Sequence, residues 1–131
     1  MPIFEKNVLK KLFGELWLKM INETEFGPKL KEKDITILFV VNDPDVNMYI
    51  DYKGPVFGEE AKVKKPLVTM KMSGDNIHKF WLRNLNIPKA LATRQVVAQG
   101  PVAKVLQLLP LMKPGMELYP QYCEKYNLPS R

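Results

Sequence analysis

Cysteine, histidine, serine and arginine are all scarce in this sequence of 131 residues. One cysteine, Cys123, rules out an internal disulfide, and one histidine, His78, leaves too few ligands for a Cys/His metal centre. The only serines are Ser73 and Ser130, so a hydroxyl nucleophile beside a base has almost nowhere to stand. Three arginines among 20 basic residues disfavour bidentate reading of base edges. No Gly-x-x-x-x-Gly-Lys or Gly-x-Gly-x-x-Gly occurs, so no phosphate-cradling loop is written here. Long hydrophobic runs are missing too. The longest, Ile35 to Val41 with Thr36 inside it, is seven residues, whereas a membrane-crossing helix needs about 20. The opening Met-Pro-Ile-Phe-Glu-Lys passes straight into a charged helical pattern and does not read as a secretory leader. A lone thiol fits a reducing compartment, so a cytoplasmic setting is expected, with no metal and no cofactor.

What remains is globular in composition: 46% hydrophobic and 26% charged residues, enough chain for one domain with a substantial core. The net charge is +6, unevenly spread. Between Lys62 and Lys113 there are ten basic residues and one acid, Asp75. Such a stretch is either a solvated lysine-rich face or a surface that attracts phosphates, on lipid headgroups, coenzyme A or nucleic acid.

Hydrophobic spacing predicts a long amphipathic helix over residues 3–24. Phe4, Val8, Leu12, Leu16 and Met20 form one row, and Leu9, Phe13, Trp17 and Ile21 the next. Phe26-Gly27-Pro28 should end it, with a charged connector to Lys33. The period then changes to two. Residues 35–41 predict a strand covered on both faces. Asn42-Asp43-Pro44-Asp45 predicts a turn, and a second strand should place Val46, Met48, Ile50 and Tyr52 on one face. Residues 53–65 carry two glycines, a proline and six charges, and read as a mobile loop around Phe57. A third strand, 66–72, turns Val68, Met70 and Met72 inward. Ser73 is a good N-cap for a helix with Ile77, Phe80, Trp81 and Leu85 on one face. A short helix after Asn86-Ile87-Pro88 and a strand over 94–99 follow. The last region has Val102, Val105, Leu106 and Leu109 on one face, and Pro110, Pro114 and Pro120 should cut it into pieces. The order predicts an α+β fold, with helices covering one face of a mostly antiparallel sheet.

Little here points to catalysis. His78, among Asp75, Asn76 and Lys79, reads as a solvated helix residue. Cys123 reads as a buried, inert thiol, and the acid pairs Asp43/Asp45 and Glu59/Glu60 fall in a turn and a loop. No catalytic residue is expected. Seven methionines and thirteen aromatics instead concentrate on the inward faces. They serve equally as ordinary core or as the wall of an adaptable apolar pocket, and periodicity does not separate the two.

A resemblance does. Val68-Thr-Met-Lys-Met-Ser73, Phe80-Trp81, Asn86-Ile-Pro-Lys-Ala-Leu91 and Arg94-Gln-Val-Val-Ala-Gln-Gly100 with the apolar Val102 to Leu109 resemble the sterol carrier protein type 2 family. Upstream, Tyr49-Ile-Asp-Tyr-Lys-Gly54 is similar to that family's second strand and turn. Family members place a glycine at both ends of the strand that here runs 94 to 100; this chain keeps Gly100 and has Arg94 at the other end. The resemblance implies a five-stranded sheet with helices on one side, an apolar tunnel between them, and no catalytic residues. It also implies ligands such as fatty acids, fatty acyl-CoA or sterols.

On this reading the lining is expected from Trp17, Phe39, Met48, Ile50, Met70, Phe80, Trp81, Leu85, Val96, Ala98, Leu106, Leu109, Met112, Met116 and Tyr119. The partners expected are a lipid and, transiently, an anionic membrane surface, with no specific nucleic acid; a homodimer stays open. Two other readings remain: an interaction or dimerisation module of the same fold with a filled core, and a weak nonspecific nucleic-acid binder using the basic 62–113 stretch.

Overall fold

The computed structural model describes residues 3–130; Met1, Pro2 and Arg131 lie outside the described residues. The long helix, α1, runs Lys6–Glu23, and its two predicted rows are buried from Leu9 onward, through Leu12, Phe13, Leu16, Trp17, Met20 and Ile21, while Val8 is half-buried. Its end is fixed locally. Thr24 is extended, its hydroxyl donates to the Met20 carbonyl, and the same oxygen accepts from the Phe26 N–H.

The predicted connector is instead a second helix, α2, over Phe26–Lys33. Pro28 sits in its first turn, where a missing N–H costs nothing, and Lys31 and Lys33 suit its C-terminal dipole. Gly27 makes the corner feasible. A Cβ there would lie 2.0 Å from the Ile21 carbonyl oxygen, so only glycine lets the two helices meet.

Five strands form one open sheet in the order β3-β2-β1-β4-β5: β1 Ile37–Asn42, β2 Val46–Asp51, β3 Gly54–Phe57, β4 Val68–Ser73 and β5 Val97–Gln99. β1 pairs in parallel with β4, and every other pairing is antiparallel. Alternation carries Ile37, Phe39, Val41, Met48, Ile50, Val68, Met70 and Met72 to the inner face, where all are buried.

The segment predicted as a loop contains regular structure. Its Gly54–Phe57 segment is the edge strand β3, where Pro55 is tolerated, and Phe57 pairs with Met48 and packs toward Gly14 of α1. Helix α3, Glu59–Lys62, follows and contacts β2 and β3. Tyr49, which alternation turns to the outer face, is buried there with the Lys64 ammonium 5.9 Å from its ring.

Ser73 caps α4, Gly74–Trp81, accepting from the Asn76 N–H as expected. Asn86 does the same for α5, Ile87–Ala92. The strand predicted over 94–99 shrinks to Val97–Gln99, because Arg94 takes a positive φ of 63° that no strand allows. That is the left-handed region a glycine favours. At the other end Gly100 has φ 98°, and a Cβ on it would meet the Leu67 carbonyl oxygen at 2.4 Å.

Helix α6, Val102–Leu106, and a 3-10 turn, Leu109–Met112, lead into α7, Lys113–Lys125. α7 passes through Pro120 unbroken, contrary to the expected division; that proline lies on its exposed side. The far end of α7 is tied to α1, because Glu15 accepts from Lys125 Nζ at 2.6 Å and from the Tyr126 hydroxyl.

Candidate functional site

Between the inner sheet face and its helical cover lies an apolar hollow of about 40 Å³. Trp17 of α1 forms one wall. Phe39, Met48, Met70 and Met72 rise from β1, β2 and β4, and Ile77, Phe80 and Trp81 descend from α4. Ile87, Val105, Leu106, Leu109 and Met112 close it from α5, α6 and the 3-10 turn. Phe80, Leu106 and Leu109 are only half-buried, so the thin side lies between α4 and α6. A water needs roughly 10–15 Å³ measured this way, and an engineered cavity of about 150 Å³ admits benzene. As it stands, the hollow is a seed of space and not a tunnel for a long chain. Ligand entry requires wall side chains to move, and methionines do so readily.

Nine of the nominated residues meet at this hollow: Trp17, Phe39, Met48, Met70, Phe80, Trp81, Leu106, Leu109 and Met112. Six do not line it. Ile50 is buried in the core two residues beyond Met48 on β2, and Val96 is buried before β5, whose Ala98 is half-buried opposite Met70. Leu85 is half-buried after α4, Met116 is half-buried on α7, and Tyr119 is buried against His78. Sequence reasoning missed Met72, Ile77, Ile87 and Val105. The first, second and fourth carried a signal, sharing a face with Met70, Trp81 and Leu109 respectively. Ile87 carried none, since it was absorbed into the helix break.

The walls are rigid where aromatic and yielding where aliphatic. Trp17 stacks with Phe26 at 5.6 Å and with Phe39 at 5.8 Å, and meets Trp81 edge-on at 5.4 Å. Its indole N–H donates to Met48 Sδ at 3.2 Å. Gly115 lets α7 approach this wall: a Cβ there would meet Met20 Sδ at 2.4 Å and the Trp81 ring at 2.8 Å. A wider cleft of about 440 Å³ lies at the hairpin end of the sheet. Lys6, Lys10, Asn42, Asp45, Asn47 and Glu59 among others line it, and those groups do not suit an apolar chain.

His78 is not the solvated residue its neighbours suggested. It is 2% exposed, with Nδ1 2.7 Å from the Tyr119 hydroxyl and the Phe4 ring edge-on at 5.7 Å. Nε2 has no hydrogen-bond partner among the described residues; the Pro129 backbone beside it falls outside normal hydrogen-bond geometry. Burial pushes the imidazole below its ordinary range, with Pro129 and Asp75 opposing weakly. Burial also raises Tyr119, and raises the Cys123 thiol to about 11. All three groups are driven to neutral forms, which suits a structural cluster and not a nucleophile with its base.

A stability consequence follows from His78. The unfolded chain takes up the proton first as pH falls through about 6.5, while the fold resists it. This contribution is complete above that pH and is lost on acidification through the depressed folded value. Thermal melts from pH 8 to pH 5 should show wild type falling faster than His78→Phe, the gap between them narrowing toward acid; parallel curves would sink this assignment.

No family model matches the chain, and no curated protein matches it by sequence. Its backbone, however, is similar to solved structures. Sterol carrier protein 2 from Yarrowia lipolytica, in its apo form, superposes with a TM-score of 0.67 over 88% of this chain and 98% of that one, at 13% identity. Sterol carrier protein domain 2 of Helicoverpa armigera gives 0.64 over 84% and 89%, at 20% identity. The open five-stranded sheet with its single parallel pair, roofed by helices on its inner face, is the sterol carrier protein 2 fold.

Proposed function

We propose that this protein binds and transfers an apolar ligand (a fatty acid, a fatty acyl-CoA or a sterol-like lipid) in the hollow between sheet and helices, and performs no chemistry on it. The observation that carries the reading is the hollow itself, walled entirely by apolar side chains of which Met48, Met70, Met72 and Met112 are thioethers able to make room. The sterol carrier proteins that share the fold point the same way. Burial of each methylene contributes about 0.8 kcal/mol, so a 16-carbon chain gains roughly 12 kcal/mol gross before several kcal/mol of ordering cost. That supports micromolar or tighter retention without a polar contact. Such a site measures length and girth more than headgroup.

In this reading the protein works in the cytoplasm, and the lysine-rich 62–113 stretch meets anionic membranes while the ligand is loaded. Loading rates from anionic vesicles should then fall as salt rises through about 0.15 M, where the Debye length is about 8 Å. Rates indifferent to ionic strength would remove the electrostatic step.

The small size of the hollow favours a second reading, an interaction module with a filled core. Organic extraction and mass spectrometry of natively purified protein separate the two. Near-stoichiometric lipid supports the carrier; a clean extract, together with no uptake of a fluorescent fatty acid, leaves the filled core.

A further inference from the structure

We infer that the hollow selects apolar ligands bearing an oxygen that only accepts hydrogen bonds, a ketone, ester or ether, and that the indole N–H of Trp17 reads that oxygen. The inference rests on the binding reading above and deepens it by naming the ligand class.

Among the residues that wall the hollow, side-chain nitrogen or oxygen occurs only in the indoles of Trp17 and Trp81. An indole donates and cannot accept. The hollow's polar side-chain vocabulary is therefore donor-only, apart from weakly accepting thioethers. Trp17 is 1% exposed, and its N–H has found no oxygen, only the sulfur of Met48. A thioether is a weak acceptor, so this buried donor is underpaid in its present bond. The ring is packed against Phe26, Phe39 and Trp81, so turning it toward another acceptor would break three aromatic contacts. Met48, by contrast, is unbranched and free to withdraw its sulfur. A ligand carbonyl arriving at this point exchanges a weak acceptor for a strong one in water-excluded surroundings.

An alcohol of the same skeleton offers an acceptor too, but its own proton then faces only thioethers and hydrocarbon, an uncompensated donor. A carboxylate cannot enter without shedding its charge, so an acid headgroup stays at the thin side between α4 and α6 while its tail goes in. The wall thus ranks a ketone above the matching alcohol, two groups that water solvates comparably.

The test is displacement of N-phenyl-1-naphthylamine from the full chain by 2-dodecanone and by 2-dodecanol. The ketone is expected to bind roughly three- to tenfold more tightly, the size of one net hydrogen bond. Trp17→Phe should bring the two ligands level, and Trp81→Phe should leave the preference standing. Met48→Leu removes the competing sulfur and should enlarge the preference, which keeps the idea testable if Trp17→Phe fails to fold. Equal displacement in wild type, or a preference that Trp17→Phe keeps and Met48→Leu leaves unchanged, overturns the inference while the binding reading survives. Failure of the dye and of both ligands to bind at all overturns the binding reading, and this inference with it.

Discussion

Gly100→Ala is expected to lower stability by about 3 kcal/mol, dropping the melting temperature by on the order of 10 °C for a chain of this size. Two costs combine. At φ 98° any Cβ is strained, and this one would sit 2.4 Å from the Leu67 carbonyl oxygen, a backbone atom that cannot swing aside. Relief requires β4 to part from the turn beyond β5, which loosens the edge of the sheet. Arg94→Gly is the complementary test. Arg94 already pays for a φ of 63°, and glycine there should be neutral or gain up to about 1 kcal/mol, the unfolded chain's extra freedom offsetting part of the relief. Melts of the two variants check both signs; an unharmed Gly100→Ala would mean that the turn has room the geometry denies it.

Met112→Trp should abolish most apolar-ligand binding while leaving the fold nearly as stable. Met112 is 3% exposed and closes the hollow beside Leu109. An indole there fills the space a ligand would enter. If it excludes three or four methylenes, the loss is about 3 kcal/mol, a hundredfold or more in Kd. The filled-core reading expects the reverse pattern: overpacking that costs about 1–3 kcal/mol of stability, with no binding to lose. Measuring fluorescent fatty-acid uptake and denaturant midpoints on the same preparation decides between them.

Much of this was legible because it depends on periodicity. The rows from Phe4 to Met20 and from Leu9 to Ile21 fix α1, and alternation at Val68, Met70 and Met72 fixes the inner face of β4. Ser73 and Asn86 announce their helices by chemistry that is local. The misreadings share a cause, which is that tertiary contacts decided them. Gly54-Pro55-Val56-Phe57 looks like a loop by composition, yet an edge strand tolerates both glycine and proline, and pairing with β2 supplies what propensity withholds. Phe26 to Lys33 is a helix because Gly27 fits against Ile21, a contact no spacing encodes. His78 has charged sequence neighbours, but Phe4 and Tyr119 reach it from α1's approach and from α7. For the hollow, the sequence identified inward faces but not depth along them. Ile50 and Tyr119 point into the core as surely as Met48 does; only the positions of the helices decide which inward residues border empty space.

The two strands that pair in parallel at the centre of the sheet are not neighbours along the chain. β1 and β4 lie side by side in parallel, yet the hairpin, the edge strand and α3 intervene, and the first bonds across the gap, Leu67 to Thr36, span 31 residues. Local pieces such as α1 and the β1–β2 hairpin need no such closure and can form early. Until β4 docks, the inner face lacks the part of its cover that α4 supplies, since α4 follows β4 directly in the chain. The refolding rate should therefore track that single docking event, and weakened β1–β4 pairing should slow refolding more than it speeds unfolding.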